Sequence, residues 1–134
     1  MPQESPVARF FAAYERNIAD GNFEALAAQF APAYLAGGAG GLQCLLSAEM
    51  AAGLGRRRHL LTSLGCGPSR LVSFTETPLD GRFALARTLW SFAVDAADKP
   101  LSVESTYLLD TAEPMHILVY IAHQDLVAML KSRR

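Results

Sequence analysis

A buried tyrosine hydroxyl can donate a hydrogen bond to a carbonyl or to a developing oxyanion, and an imidazole in reach can remove a proton from the same ligand. Tyr14 and His59 are the residues of this chain that could divide such work, and they are the candidate catalytic pair. Tyr14 falls on an apolar stripe with Val7, Phe10, Phe11 and Ile18, so its ring belongs inside whatever the function. Its hydroxyl then needs a partner from protein, water or ligand. His59 directly follows Arg56, Arg57 and Arg58. Four consecutive helical residues spread over about 300°, so they cannot all face one ligand. His116 shares a strand with apolar residues and His123 ends that strand, positions suited to a surface or rim. Cys44 and Cys66 are too few and too far apart for a metal knuckle and read as two buried free thiols of a reducing compartment. No spacing of histidines and carboxylates suggests a metal, and no cofactor motif is present. The run Gly37-Gly38-Ala39-Gly40-Gly41 matches neither the dinucleotide nor the P-loop pattern and reads as a flexible loop, mobile and able to act as a rim or lid.

The elements that must position these residues begin with Phe10 to Phe30, read as a long helix, a break at Asp20-Gly21-Asn22 and a second short helix. Ser5 and Pro6 give the start signal, Gly21 the stop, and Asn22 the next cap. Pro32 is expected to end the second helix. A short strand fits Tyr34 and Leu35, and a third helix fits about 48–64, with Ser47 as its cap and a stripe of Met50, Leu54, Leu61 and Leu64. From Arg70 the apolar period changes from 3.6 to 2. Four strands fit: about 70–78, 82–95, 101–110 and 115–123. Asp80-Gly81 turns the first into the second, Ala96 to Pro100 the second into the third, and Ala112-Glu113-Pro114 the third into the fourth. A closing helix fits Gln124 to Lys131, with Lys131, Arg133 and Arg134 favourable at its C-terminal end. Helices followed by a meander make an α+β order with an antiparallel sheet, and a strongly curved sheet around helices leaves an open cone.

The totals fit one domain over residues 1–134, with 51% hydrophobic and 19% charged residues. A net charge of −1 gives no support for a nucleic-acid or membrane surface. No apolar run approaches the ~18 residues that span a bilayer, no signal peptide is visible, and a cytoplasmic site is expected.

The opening pattern Ala13-Tyr14 … Ala19-Asp20-Gly21-Asn22-Phe23-Glu24-Ala25-Leu26 … Phe30-Ala31 and the closing Val119-Tyr120-Ile121-Ala122-His123-Gln124-Asp125-Leu126 resemble the nuclear transport factor 2-like superfamily. That superfamily includes ketosteroid isomerase, scytalone dehydratase and the SnoaL-like polyketide cyclases. The resemblance covers the whole chain and implies a cone-shaped α+β fold, three N-terminal helices packed in a curved antiparallel sheet. The isomerase's oxyanion-hole tyrosine falls on Tyr14. Its general-base aspartate falls on Gly38, and its second donor, a protonated aspartate, falls near Ser105. With the base missing, steroid isomerisation is not expected.

By the same resemblance Val103, Ser105, Tyr107 and Leu109 face inward, while His116, Leu118 and Tyr120 face outward, which leaves Val119 and Ile121 inside. Whether Trp90, Phe92 and Val94 are pocket wall or dimer core stays open. An arginine at position 87 would want Glu76 or Glu104. The expected pocket is Tyr14, Phe30, Tyr34, His59, Trp90, Val103, Ser105, Tyr107, Val119 and Ile121. A last strand apolar on both faces implies a covered outer face, and a homodimer supplies the cover. Three functions follow: binding of a small apolar organic ligand in the cone, an isomerase, dehydratase or cyclase using Tyr14 with a non-standard base, or a protein-interaction adaptor using the sheet.

Overall fold

A computed structural model describes residues 5–95 and 99–132. Ala96, Ala97 and Asp98 of the expected turn, and Arg133 and Arg134, lie outside the described residues. The order is α1 (Pro6–Asp20), α2 (Phe23–Ala27), β1 (Phe30–Gly38), β2 (Gly41–Leu46), a 3₁₀ turn (Ser47–Glu49), α3 (Met50–Ser63), β3 (Cys66–Pro78), β4 (Phe83–Val94), β5 (Leu101–Asp110), β6 (His116–Ala122) and α4 (Leu126–Lys131). One six-stranded sheet runs β2-β1-β6-β5-β4-β3. It is curved and unclosed, and the helices pack against it.

The first helix starts and stops as its sequence dictates. The Ser5 hydroxyl accepts from the Ala8 amide at 3.0 Å. Gly21 takes φ 68° and its amide donates to the carbonyls of Asn17 and Ile18. A Cβ on Gly21 would meet an Arg58 guanidinium nitrogen, the movable end of a long side chain, so it is the positive φ that calls for glycine there. Two polar clamps hold α1, one to β3 and one to the turn before β1. A Glu15 carboxylate oxygen accepts from the Leu71 amide at 2.7 Å, where β3 bulges between Leu71 and Ser73. Asn17 donates to Gln29 at 3.1 Å, and Gln29 donates to the Phe10 carbonyl at 3.1 Å.

Three expectations are corrected. Residues 37–41 are not a loop: they end β1 and begin β2, a hairpin at the sheet edge. Gly37 lies close to its neighbours: a Cβ there would sit 2.9 Å from Ile121 Cδ1 and 3.0 Å from Leu42 Cδ1, both movable ends of side chains. Pro32 lies in β1 instead of ending α2, in the irregular stretch between Phe30 and Leu35 where β1 skips its register against β6. Proline's missing N–H suits that gap. Ser47 opens a 3₁₀ turn and does not cap α3, whose preceding residue Glu49 makes no side-chain cap. The sheet is antiparallel except for β1 and β6, which pair in parallel.

The β3–β4 turn is held by carboxylates. Asp80 accepts from the amides of Arg82 at 2.9 Å and Phe83 at 3.3 Å, which hold its pKa below the ordinary value. Asp110 is lowered mainly by the two-pronged Arg82 pair, both bonds at 2.9 Å. A folded-state pKa below the unfolded one contributes stability above the unfolded value, about 3.9, and the contribution fades as pH falls through the folded value. Asp80→Asn should therefore melt with a shallower acid limb below about pH 4. Parallel limbs for variant and wild type would remove Asp80 from the acid response.

Candidate functional site

The cone encloses a cavity of about 920 Å³, open at one end, within the usual size of small-molecule sites. Its interior is aromatic. Tyr14 on α1 meets Tyr107 on β5 with ring centroids 5.6 Å apart at 79°, and Trp90 on β4 with centroids 5.8 Å apart. The Tyr107 hydroxyl donates to the Tyr14 oxygen at 3.2 Å, and both residues are buried. Burial is the main cause that raises both phenol pKa values. The neighbouring tyrosines add to this, and for Tyr14 the Tyr107 hydrogen bond and the Arg57 charge pull the other way. Both hydroxyls are therefore uncharged near neutral pH, fit to donate and unfit to act as bases. Because Tyr14 accepts from Tyr107, its own proton is left to point at a third group.

Beside the pair, the polar atoms of the wall satisfy one another. Trp90 Nε1 donates to Thr88 Oγ1 at 2.8 Å, and that hydroxyl donates to the Ser105 carbonyl at 3.3 Å. The Ser105 side chain also hydrogen-bonds Tyr107. Among the described residues no buried side-chain nitrogen or oxygen lacks a partner, and no cluster of histidines, cysteines and carboxylates could hold a metal.

Seven of the expected residues line the cavity together: Tyr14, Phe30, Tyr34, Trp90, Val103, Ser105 and Tyr107. Trp90 and Phe92 prove to be cavity wall. His59 is not there. It is exposed on α3, whose cavity side carries Leu54, Arg57, Arg58 and Leu61, spaced by three or four residues as one helix face. Val119 and Ile121 are not there either; Tyr120 and Ala122 take their place. The cause is a bulge. Leu109 pairs with Ile117 but Leu108 pairs with Val119, so Leu118 is an extra residue and reverses the alternation beyond it. Ile117 thus points inward before the bulge and Tyr120 after it. Gly38, at the isomerase's base position, ends β1 outside the cavity lining.

Arg57, Arg58 and Asp95 bring charge to the cavity's edge, whereas Glu104, which also borders it, alternates with inward Val103 and Ser105, so its side chain points to the outer face. Glu104 is held by Arg87 at 2.9 Å, the pairing its strand position suggests, although both side chains are partly exposed. His123 Nε2 lies 2.7 Å from Thr106 Oγ1 on an exposed surface. Cys44 and Cys66 are both free; Cys44 is exposed on the edge strand β2, against the expectation that both are buried, and Cys66 is buried on the cavity wall with its thiol pKa pushed up by burial. The Met50–Leu54–Leu61 stripe was legible as apolar, but nothing in the spacing says that it faces an open cavity.

No protein-family model matches the chain, and no curated protein sequence matches it. Solved structures do. An NTF2-like protein of unknown function from Pseudomonas putida superposes with a TM-score of 0.72 at 15% identity, covering 91% of this chain and 86% of the other. An NTF2-like protein with a cystatin-like fold from Novosphingobium aromaticivorans gives 0.69 at 17% identity, over 94% and 84%. A candidate polyketide cyclase from Xanthomonas campestris gives 0.60 at 14% identity, over 91% and 92%.

Proposed function

Because the chain has the nuclear transport factor 2-like fold, we propose that it binds a small, largely apolar organic ligand whose carbonyl or phenol oxygen meets the Tyr14 hydroxyl. One observation carries this reading: a buried, uncharged tyrosine pair bordering an open aromatic cavity. Binding is favoured over catalysis because proton abstraction needs a base in reach of the ligand. No histidine is among the cavity residues, Glu104 is paired with Arg87, and Asp95 is exposed. An open cavity likewise favours a ligand over a purely adaptor role. Binding takes place in a homodimer joined through the outer sheet face, in a reducing compartment such as the cytoplasm. The row Leu85, Leu108, Val119 and Leu35, running across β4, β5, β6 and β1 on that face, supports the dimer.

The test uses the single tryptophan, Trp90, whose fluorescence reports on the cavity itself. Aromatic ketones and phenols that quench it are titrated against wild type and Tyr14→Phe. The variant should lose about 0.5–1.5 kcal/mol of stability for one hydrogen bond and bind the ketone about tenfold more weakly. Unchanged affinity for a ligand that quenches Trp90 would remove Tyr14 as the polar anchor.

A further inference from the structure

The cavity has polar groups at two depths. Deep inside stand the uncharged hydroxyls of Tyr14 and Tyr107, and at the open edge stand charges on exposed side chains. The edge charges are not equivalent. Arg58 is engaged: Nη2 donates to the Ala19 carbonyl at 3.4 Å, and its guanidinium lies over the Phe23 ring, 6.0 Å from the centroid. Glu104 borders the cavity through its strand, but its side chain turns to the outer face and pairs with Arg87. Arg57, one residue from Arg58 on the same helix, has no hydrogen bond or ion pair with protein among the described residues. Its charge nonetheless reaches inward, acting on the Tyr14 hydroxyl and on the Cys66 thiol. Asp95 opposes it at Cys66, but from an exposed position beyond the end of β4. A cation with no protein partner at the edge of an apolar cavity attracts an anion, and a guanidinium fits the planar oxygens of a carboxylate or a sulfonate.

We infer that the cone takes an amphipathic organic anion, an aromatic or alicyclic acid whose acid group rests on Arg57 while its ring body lies inward toward the Tyr14–Tyr107 pair. This rests on the reading of the cone as a ligand site and adds the class of ligand. The aromatic walls of Trp90, Phe92 and Phe23 suit flat rings. The neutral pair inside suits an uncharged oxygen at the far end of the same molecule, since a second buried charge there would have no counter-ion.

Two dyes with one skeleton test it. 8-Anilinonaphthalene-1-sulfonate and N-phenyl-1-naphthylamine differ only by the sulfonate, and energy transfer from Trp90 reports occupancy of the cone. Wild type should bind the sulfonate about tenfold more tightly than the neutral amine. Arg57→Gln should abolish that preference while leaving the amine's affinity unchanged. Arg56→Gln, on the same helix but not at the cavity, should change neither. Added salt should weaken only the sulfonate. If the amine binds and the sulfonate gains nothing, or its gain survives Arg57→Gln, the inference is overturned and the cone remains a site for neutral ligands. If neither dye draws energy from Trp90, the cone reading and the inference fall together.

Discussion

Phe11→Ala is expected to cost about 3–5 kcal/mol of stability, the range for deleting a buried aromatic ring, and to lower the melting temperature by roughly ten degrees or more. Phe11 is fully buried, and its ring is packed on four sides. The neighbouring centroids are 5.5 Å away at Phe10, 5.8 Å at Tyr14, 5.6 Å at Phe74 and 5.0 Å at Tyr107. These neighbours come from α1, β3 and β5, so the hole cannot close without moving helix against sheet. The loss should also reach the site, because Phe11 backs both members of the tyrosine pair. Phe11→Leu should recover most of the stability and less of the affinity for a ligand anchored on Tyr14. Chemical denaturation measures the first quantity and Trp90 quenching the second. A loss below about 1 kcal/mol for the alanine variant would mean that Phe11 is not the keystone of the aromatic cluster.

The second large effect is on assembly. Val119→Arg is expected to leave the isolated subunit folded, because Val119 faces away from the cavity, and to separate the subunits of the proposed dimer. It sits mid-row between Leu108 and Leu35 on the outer face. An unpaired charge buried there should weaken association by about 3–5 kcal/mol, a factor of more than about a hundred. Light scattering should show wild type at twice the mass of the chain and the variant at the chain mass, with circular dichroism unchanged. A wild type of single mass, or a variant of undiminished mass, would rule out this face as the interface. An unfolded variant would instead place Val119 back inside the cone.

That last contrast marks where the sequence stops being readable. Helix α1 could be read to its caps because Ser5, Pro6 and Gly21 act on their own backbone neighbours. The inner face of β5 could be read because its alternation is unbroken from Val103 to Leu109. Strand β6 could not. His116 to Ala122 is apolar on both parities, so the pattern holds no mark of the extra residue at Leu118, and the inward set shifted by one. The glycines at 37–41 misled for another reason. Locally they favour a loop, and the pairing of β1 with β2 and of Gly37 with Ile121 on β6 makes strands there. His59 was misplaced although the Met50–Leu54–Leu61 stripe, continued through Arg57 and Arg58, sets the helix phase and leaves His59 off the cavity face.

The parallel contact of β1 with β6 sets an order of events when the chain is made. In the sheet β6 lies between β1 and β5, and it alone joins the β2–β1 hairpin to the meander. During synthesis α1, α2 and the hairpin emerge first, yet the ladder that receives them forms only when Ile117, 87 residues after Phe30, meets it. Until then the apolar stripe of α1 and the inner residues of β1 have no finished sheet to bury against. Closing so long a stretch of chain is slow compared with forming a local hairpin. The nascent protein therefore carries exposed apolar surface through most of its synthesis, and a chain cut short in the β5–β6 turn leaves the hairpin without its neighbour in the sheet.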